Sequence, residues 1–222
     1  MNNYVIELES LDAAGKHTQA LNMKKYIDDK YGRTYIQDYP KYDGFFGKLI
    51  GKFLRGELGT VDEVSPELIS AIYALDRMED INKLNYLLED DTTIIFDRYI
   101  YSNIFNAVKT DNPEKFMKWI EELEFDKLKN IKPDYVFYLH VDPSISIMQA
   151  ENRGKKEFQA GKKDIHETNF NLLAAADKYY IEYANSHDWF IIDEMKDGKQ
   201  LSKDEVFDLI KEKIDCIYGG IK

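Results

Sequence analysis

Five short runs of β-forming residues constrain this chain more than any other feature. They are YVIEL (4–8), TYIQDY (34–39), TTIIFD (92–97), YVFYLHV (135–141) and WFIID (189–193). Three are nearly continuous in apolar residues, the pattern of strands buried on both faces. Helical stretches separate them, at 17–31, 43–56, 65–89, 99–108, 113–124, 143–160, 167–187 and 202–217. Strand–helix alternation of this kind predicts an α/β fold: a five-stranded parallel sheet flanked by helices on both faces. No internal repeat, low-complexity tract or proline-rich linker interrupts the pattern, so residues 1–222 read as one domain.

Composition narrows the function classes. At 44% hydrophobic and 32% charged residues the chain can bury a sizeable core and stay in solution. It shows no apolar run of transmembrane length and no signal peptide. Its one cysteine, Cys216, excludes an intrachain disulfide, and a reducing, cytoplasmic setting is the simplest reading. A net charge of −11 argues against general DNA or RNA binding, where phosphate neutralisation dominates affinity. It does not exclude a nucleotide, because a few well-placed cations can hold a small anion.

Three constellations could hold such an anion. The first follows the opening strand, where residues 10–17 track the phosphate-loop pattern G-x-x-x-x-G-K-[ST] with two departures. Ser10 stands for the first glycine and His17 for the final hydroxyl, with Ala13 and Ala14 before Gly15-Lys16. A turn of this kind cradles phosphate with backbone N–H groups and a helix N-terminus. Lys16 would reach the β/γ-phosphates, and Thr18 could meet the α-phosphate. An ordinary strand–helix turn fits the same residues. The second constellation is Asp97-Arg98 at the carboxyl end of a buried strand, the edge where ligands bind in open α/β sheets. Asp97 could hold Mg²⁺ and Arg98 could fork onto a phosphate, or the pair could simply cap the next helix. The third is Tyr73 and Arg77, four apart and so on one helix face. They suit a base pocket, or equally a core tyrosine beside a surface arginine. A further segment, ENRGKKEFQAGKKD (151–164), is basic and almost devoid of apolar residues. It reads as a solvated loop or as a lid that closes cations over phosphates.

Together these segments resemble the thymidylate kinase (dTMP kinase) family, P-loop nucleoside monophosphate kinases, over nearly the whole chain. ELESLDAAGKHTQ (7–19) is similar to the family's E-G-x-D-G-x-G-K-x-T-Q loop, and YPKYD (39–43) to its F-P-x-Y segment. LRGELG and YALDR (54–59, 73–77) resemble its third helix region, FDRYIYSN (96–103) its D-R-Y-x-x-S-N signature, and PDYVFYLHVDP (133–143) its fourth strand. NRGKK…GKKDIHE (152–167) is similar to the lid of a bacterial branch that carries its arginine there.

The resemblance implies transfer of the ATP γ-phosphoryl group to dTMP with Mg²⁺, in a homodimer. It places Ser10, Ala13, Ala14, Gly15, Lys16, His17 and Thr18 around ATP. It assigns Asp12, Tyr39, Pro40, Tyr42, Tyr73, Arg77, Arg98, Ser102, Asn103 and Asn106 to dTMP. Asp97 would serve the metal. Asp12, Lys16, Arg98 and the lid's Arg153 would carry the reaction, with the lid at about 151–166. Ala13 occupies a position that is basic in some members, and Asn106 replaces a ring that disfavours a 2′-hydroxyl. These departures leave two other readings open: a kinase for dUMP or a modified dUMP, and a non-catalytic nucleotide binder.

Overall fold

The computed structural model describes residues 3–11, 15–59, 63–152, 170–196 and 198–220, side chains of 150–152 excepted. Its sheet holds β1 (Val5–Ser10), β2 (Thr34–Asp38), β3 (Thr93–Asp97), β4 (Tyr135–His140) and β5 (Phe190–Asp193). Their order is β2-β3-β1-β4-β5, and all four neighbouring pairs are parallel. Every predicted strand is present within two residues of its expected bounds. From β1 the chain builds β2 and β3 on one side and β4 and β5 on the other. β1 therefore lies where the connections reverse direction, and open α/β sheets bind ligands beyond the carboxyl end of such a strand.

Strand alternation divides the core into two layers. Ile6 and Leu8 of β1 face one side, packing with Ala20, Met23 and Ile27 of α1 (Lys16–Lys30) and Val206, Ile210 and Ile214 of α9 (Lys203–Gly219). The buried helix residues recur at three- and four-residue spacing, which is the apolar stripe of a helix on a sheet. Val5 faces the other side with Phe96, Tyr138, Leu173, Ala176 and Tyr180. That layer is covered by α5 (Ile104–Ala107), α6 (Pro113–Glu121) and α8 (Phe170–Ser186). Helix ends follow local chemistry. Asn112 and Ser202 cap α6 and α9 through Lys115 N and Glu205 N, and Glu205 returns a bond to Ser202 N to complete a capping box.

Three helical expectations change, and one hairpin is added. The single helix over 65–89 breaks into α3 (Pro66–Met78) and α4 (Ile81–Glu89). At the break Asp80 is buried and accepts hydrogen bonds from Tyr39 Oη (3.2 Å) and Lys41 Nζ (2.8 Å), so a distant loop claims the turn. The helix over 99–108 becomes a 3₁₀ turn (Ile100–Asn103) and the short α5, because the N–H groups of Tyr99 and Tyr101 donate to Glu9 and Glu7. Helix α6 runs into a π turn (Glu122–Lys127), where Glu124 is drawn inward by Arg77 and Asn130. A small antiparallel hairpin, β6 (Met195–Lys196) and β7 (Lys199–Gln200), intervenes between β5 and α9. Helix α2 (Phe45–Leu54) falls near its expected place, and α7 (Pro143–Asn152) is described only to residue 152.

Candidate active site

Among the described residues, those expected to handle phosphate lie at the carboxyl ends of β1 and β3. Gly15 has a positive φ of 76°, a conformation that glycine adopts without steric cost, and it turns the chain from loop to helix. Helix α1 begins at Lys16 with no side-chain hydrogen bond at its N-cap among the described residues and no acid in its first turn. Its leading N–H groups and the positive end of its dipole are thereby suited to an anion.

Lys16 is almost buried, and its ammonium donates to Ser10 Oγ (2.8 Å) and the Leu11 carbonyl (3.3 Å). Ser10 Oγ itself donates to the Leu11 carbonyl (2.6 Å). Here the departure from glycine finds its physical account. Strand β1 extends two residues past its predicted end, and Ser10 pairs with Leu139 of β4 as its last, extended residue. No left-handed backbone is needed there, and the hydroxyl becomes a rest for the lysine.

Asp97 ends β3 on the face of Leu8 and Ile95, toward α1. His17 Nδ1 lies 3.1 Å from Asp97 Oδ2, so the residue that replaces the usual hydroxyl reaches the candidate metal carboxylate. Thr18 is half-buried in the same first turn. Arg98, the next residue, has a φ of 66°. A side chain in that left-handed region costs roughly 1–2 kcal/mol. The strained turn lets Arg98 N continue the ladder to Leu8 O (3.2 Å) while the side chain swings back over β1. Its Nη1 donates to the Ser10 carbonyl at 3.4 Å, Glu9 Oε2 lies 3.8 Å away, and the guanidinium sits 6.0 Å from the Phe105 ring centre. Lys16 and Arg98 therefore converge on one residue, Ser10.

A second group lines α2 and α3. Tyr42 and Tyr73 both pack against Ile50, Phe53, Leu54 and Ile69. The 39–44 loop reaches them because Gly47 lies against it: a Cβ at Gly47 would sit 1.7 Å from the Lys41 carbonyl oxygen. Tyr39 and Pro40 join through a cis peptide, and Tyr39 is buried on Phe96 and Tyr99.

Other predicted residues turn inward. Arg77, expected to present its fork to a base, is 2% exposed. It is paired with Glu124 through Nη2 and through Nε at 3.0 Å, and Nη1 donates to the Tyr99 carbonyl at 3.3 Å. Ser102 Oγ donates to Glu9 (2.7 Å), Asn103 Nδ2 to the Ile100 carbonyl (2.8 Å) and Asn106 Nδ2 to Ser70 Oγ (3.0 Å). Asp12, Ala13, Ala14 and Arg153, with the greater part of the expected lid, lie outside the described residues.

Sequence reasoning did not single out the acids that organise this region. Glu7 and Glu9 are both fully buried on β1. The signal was present as two glutamates inside an apolar strand. At the far edge, His140 ends β4 between Asp177 (3.5 Å) and Asp193 (3.4 Å), and the Asp177 carboxylate holds its pKa above the usual histidine range. Next to it, burial pushes Glu194 up to about 7 despite the nearby Lys16 and His140 charges.

Two cations, Lys16 and Arg98, thus meet at the end of β1, an arrangement suited to anions, and known proteins resemble the chain over most of its length. The profile described as "Thymidylate kinase" matches residues 8–206. A thymidylate kinase of Plasmodium falciparum is 27% identical over 215 residues, covering 95% of this chain and 91% of that protein. A probable thymidylate kinase of Thermococcus kodakarensis is 30% identical over 164 residues, covering 69% and 74%. The solved structure of a Candida albicans thymidylate kinase superposes with a TM-score of 0.72 at 21% identity, over 97% of this chain and 92% of that one.

Proposed function

The chain belongs to the thymidylate kinase family, and from that premise we propose that it transfers the γ-phosphoryl group of ATP to dTMP, giving dTDP and ADP. The observation that carries the reading is the meeting of Lys16 and Arg98 on Ser10. One cation stems from the loop that receives donor phosphates, and the other from the strand end that faces the acceptor. The acceptor is already a nucleophilic phosphate oxygen, so no strong base is required, and catalysis is positioning and charge neutralisation.

In this reading the N-terminus of α1, Lys16 and Thr18 hold the ATP phosphates. Arg98 clamps the acceptor phosphate, with Tyr42 beside it. Tyr73 stacks on thymine. Arg77 acts from the interior: its pair with Glu124 anchors α3, on whose face Tyr73 lies. Asp12 and the lid arginine, Arg153, complete the site by family resemblance. Residues 1–222 act as one domain, and two copies form a homodimer in the cytoplasm. Among the described residues no helix is long and apolar enough to cross a membrane.

A magnesium ion fits the residues present. Mg²⁺ is usually held by one or two carboxylates, substrate phosphates and water rather than by an all-protein cage. Asp97 supplies one such carboxylate, and no cluster of three or more His, Cys, Asp or Glu metal donors occurs among the described residues. Bound there, the ion would neutralise charge on the transferring phosphates.

A coupled ADP-release assay with dTMP, dUMP, dCMP and dGMP tests the proposal. dTMP should turn over fastest. No turnover at enzyme-stoichiometric concentrations would sink the catalytic reading, and a faster rate with dUMP would replace the acceptor.

A further inference from the structure

Strand β1 carries one acid more than the phosphate loop needs. Glu7 and Glu9 are two apart, so both project onto the face of Val5, away from α1. Glu9 is well satisfied. Its Oε1 accepts from Tyr99 N (3.0 Å) and Ser102 Oγ (2.7 Å), its Oε2 accepts from Tyr180 Oη (3.0 Å), and Arg98 lies 3.8 Å away. Glu7 is not. Its Oε1 accepts from Tyr101 N at 2.8 Å, but its Oε2 has no ordinary donor, although it is fully buried. The acid beside it on the same face of the strand is Glu9, two residues on. Two carboxylates cannot share a hydrogen bond unless one carries a proton.

We propose that Glu7 is a positioning residue for Arg98: as a neutral acid it donates its proton to Glu9, which faces the guanidinium. The proposal rests on the reading of Arg98 as the acceptor-phosphate clamp. In the apolar layer, burial and the Glu9 charge both hold the Glu7 carboxyl well above the usual range. The groups facing it support the assignment. Arg77 of α3 is neutralised by Glu124. Tyr99 and Tyr101, from the turn after β3, and Tyr183 of α8 are phenols raised further by burial, so they stay neutral across the working range. Glu121 lies beyond them, held by the hydroxyls of Tyr101 and Tyr183. The shared proton tempers the Glu9 charge. Arg98 is thereby oriented by Glu9 while the pull of that carboxylate on the guanidinium is weakened. When Glu7 ionises, a second charge draws the guanidinium inward and repels the acceptor.

The test uses the full-length protein and follows KM for dTMP, KM for ATP and kcat from pH 7 to 9. In the wild type, KM for dTMP should rise toward pH 9 while KM for ATP holds. Glu7→Gln keeps a donor to Glu9 and an acceptor for Tyr101 N but cannot ionise, so KM at pH 7 should stay within twofold and the alkaline rise should vanish. Glu7→Leu removes the donor and should raise KM for dTMP about tenfold at every pH, the worth of one hydrogen bond to a charged group. The carbon-13 carboxyl resonance of Glu7 should be that of a neutral acid at pH 7. An alkaline rise unchanged in Glu7→Gln, or a Glu7 carboxyl already ionised at pH 7, would overturn the proposal. So would Glu7→Leu folded and with unaltered KM. If Glu7→Leu does not fold, the Glu7→Gln profile and the resonance decide. Wild-type protein without turnover would instead refute the kinase reading, while leaving the resonance test intact.

Discussion

Replacing Ser10 tests the account of the altered phosphate loop most directly. Ser10→Ala keeps the extended backbone of the last β1 residue and removes only the hydroxyl on which Lys16 rests at 2.8 Å. Both groups are buried, so the bond is charge-assisted and shielded from water. Its loss should cost about 1.5–3 kcal/mol in the nucleotide-free protein. The contact of Lys16 with the Leu11 carbonyl, at 3.3 Å, is untouched by the substitution. For a chain of 222 residues that corresponds to a fall in melting temperature of roughly 3–12 °C. If Lys16 holds ATP as proposed, phosphate oxygens take over part of that contact, so the complex should lose less than the free protein. By linkage, ATP should bind more tightly in Ser10→Ala, by up to about tenfold if some 1.4 kcal/mol of the bond is surrendered on binding. Scanning calorimetry without nucleotide and titration calorimetry with Mg·ATP measure the two halves. Ser10→Gly should behave like Ser10→Ala with a further loss of roughly 0.5–1 kcal/mol from backbone entropy. If Ser10→Gly proves more stable than Ser10→Ala, the position demands glycine's backbone and the account is wrong. Unchanged stability and ATP affinity in Ser10→Ala would equally refute it.

Arg98→Ala should reduce kcat/KM for dTMP by at least about a hundredfold, since a desolvated phosphate loses a bidentate clamp worth roughly 3 kcal/mol or more, and near-full turnover would remove Arg98 from the acceptor site. Glu194 has a folded pKa of about 7 against an ordinary 4.5, so its fold is favoured by the neutral form and loses stability as pH rises through that interval. Glu194→Gln should match the wild type near pH 5 and exceed it by up to roughly 3 kcal/mol near pH 8; parallel melting curves at both pH values would contradict this. Gly47→Ala must displace the 39–44 loop, because its Cβ would overlap the Lys41 carbonyl. The expected cost is about 1–3 kcal/mol with a raised KM for dTMP, and an unaltered KM would show that the loop can yield harmlessly. Glu124→Leu leaves the Arg77 charge buried and unpaired and should destabilise by about 3–5 kcal/mol. Adding Arg77→Leu should recover part of that loss, and a double variant less stable than the single would argue against an isolated pair.

Local sequence determined the scaffold. Apolar runs of strand length, with helical periodicity between them, were enough to specify a five-stranded parallel sheet. That holds because period-2 and period-3.6 burial are readable one residue at a time. The placing of Lys16, Asp97 and Arg98 just beyond strand ends was legible for the same reason, since each belongs to a short local pattern. Only the tertiary structure decided what the polar residues inside that scaffold bind. Ser10 became a rest for Lys16 when β1 ran two residues further, along β4. Arg77 turned inward because Glu124, 47 residues away in sequence, reaches it from a π turn. The helices at 65–89 and 99–108 broke where Asp80, Glu7 and Glu9 accept hydrogen bonds from partners far along the chain. A buried donor or acceptor must be satisfied by whatever the fold brings near it. Periodicity records which face a residue occupies, but not which distant partner will meet it there.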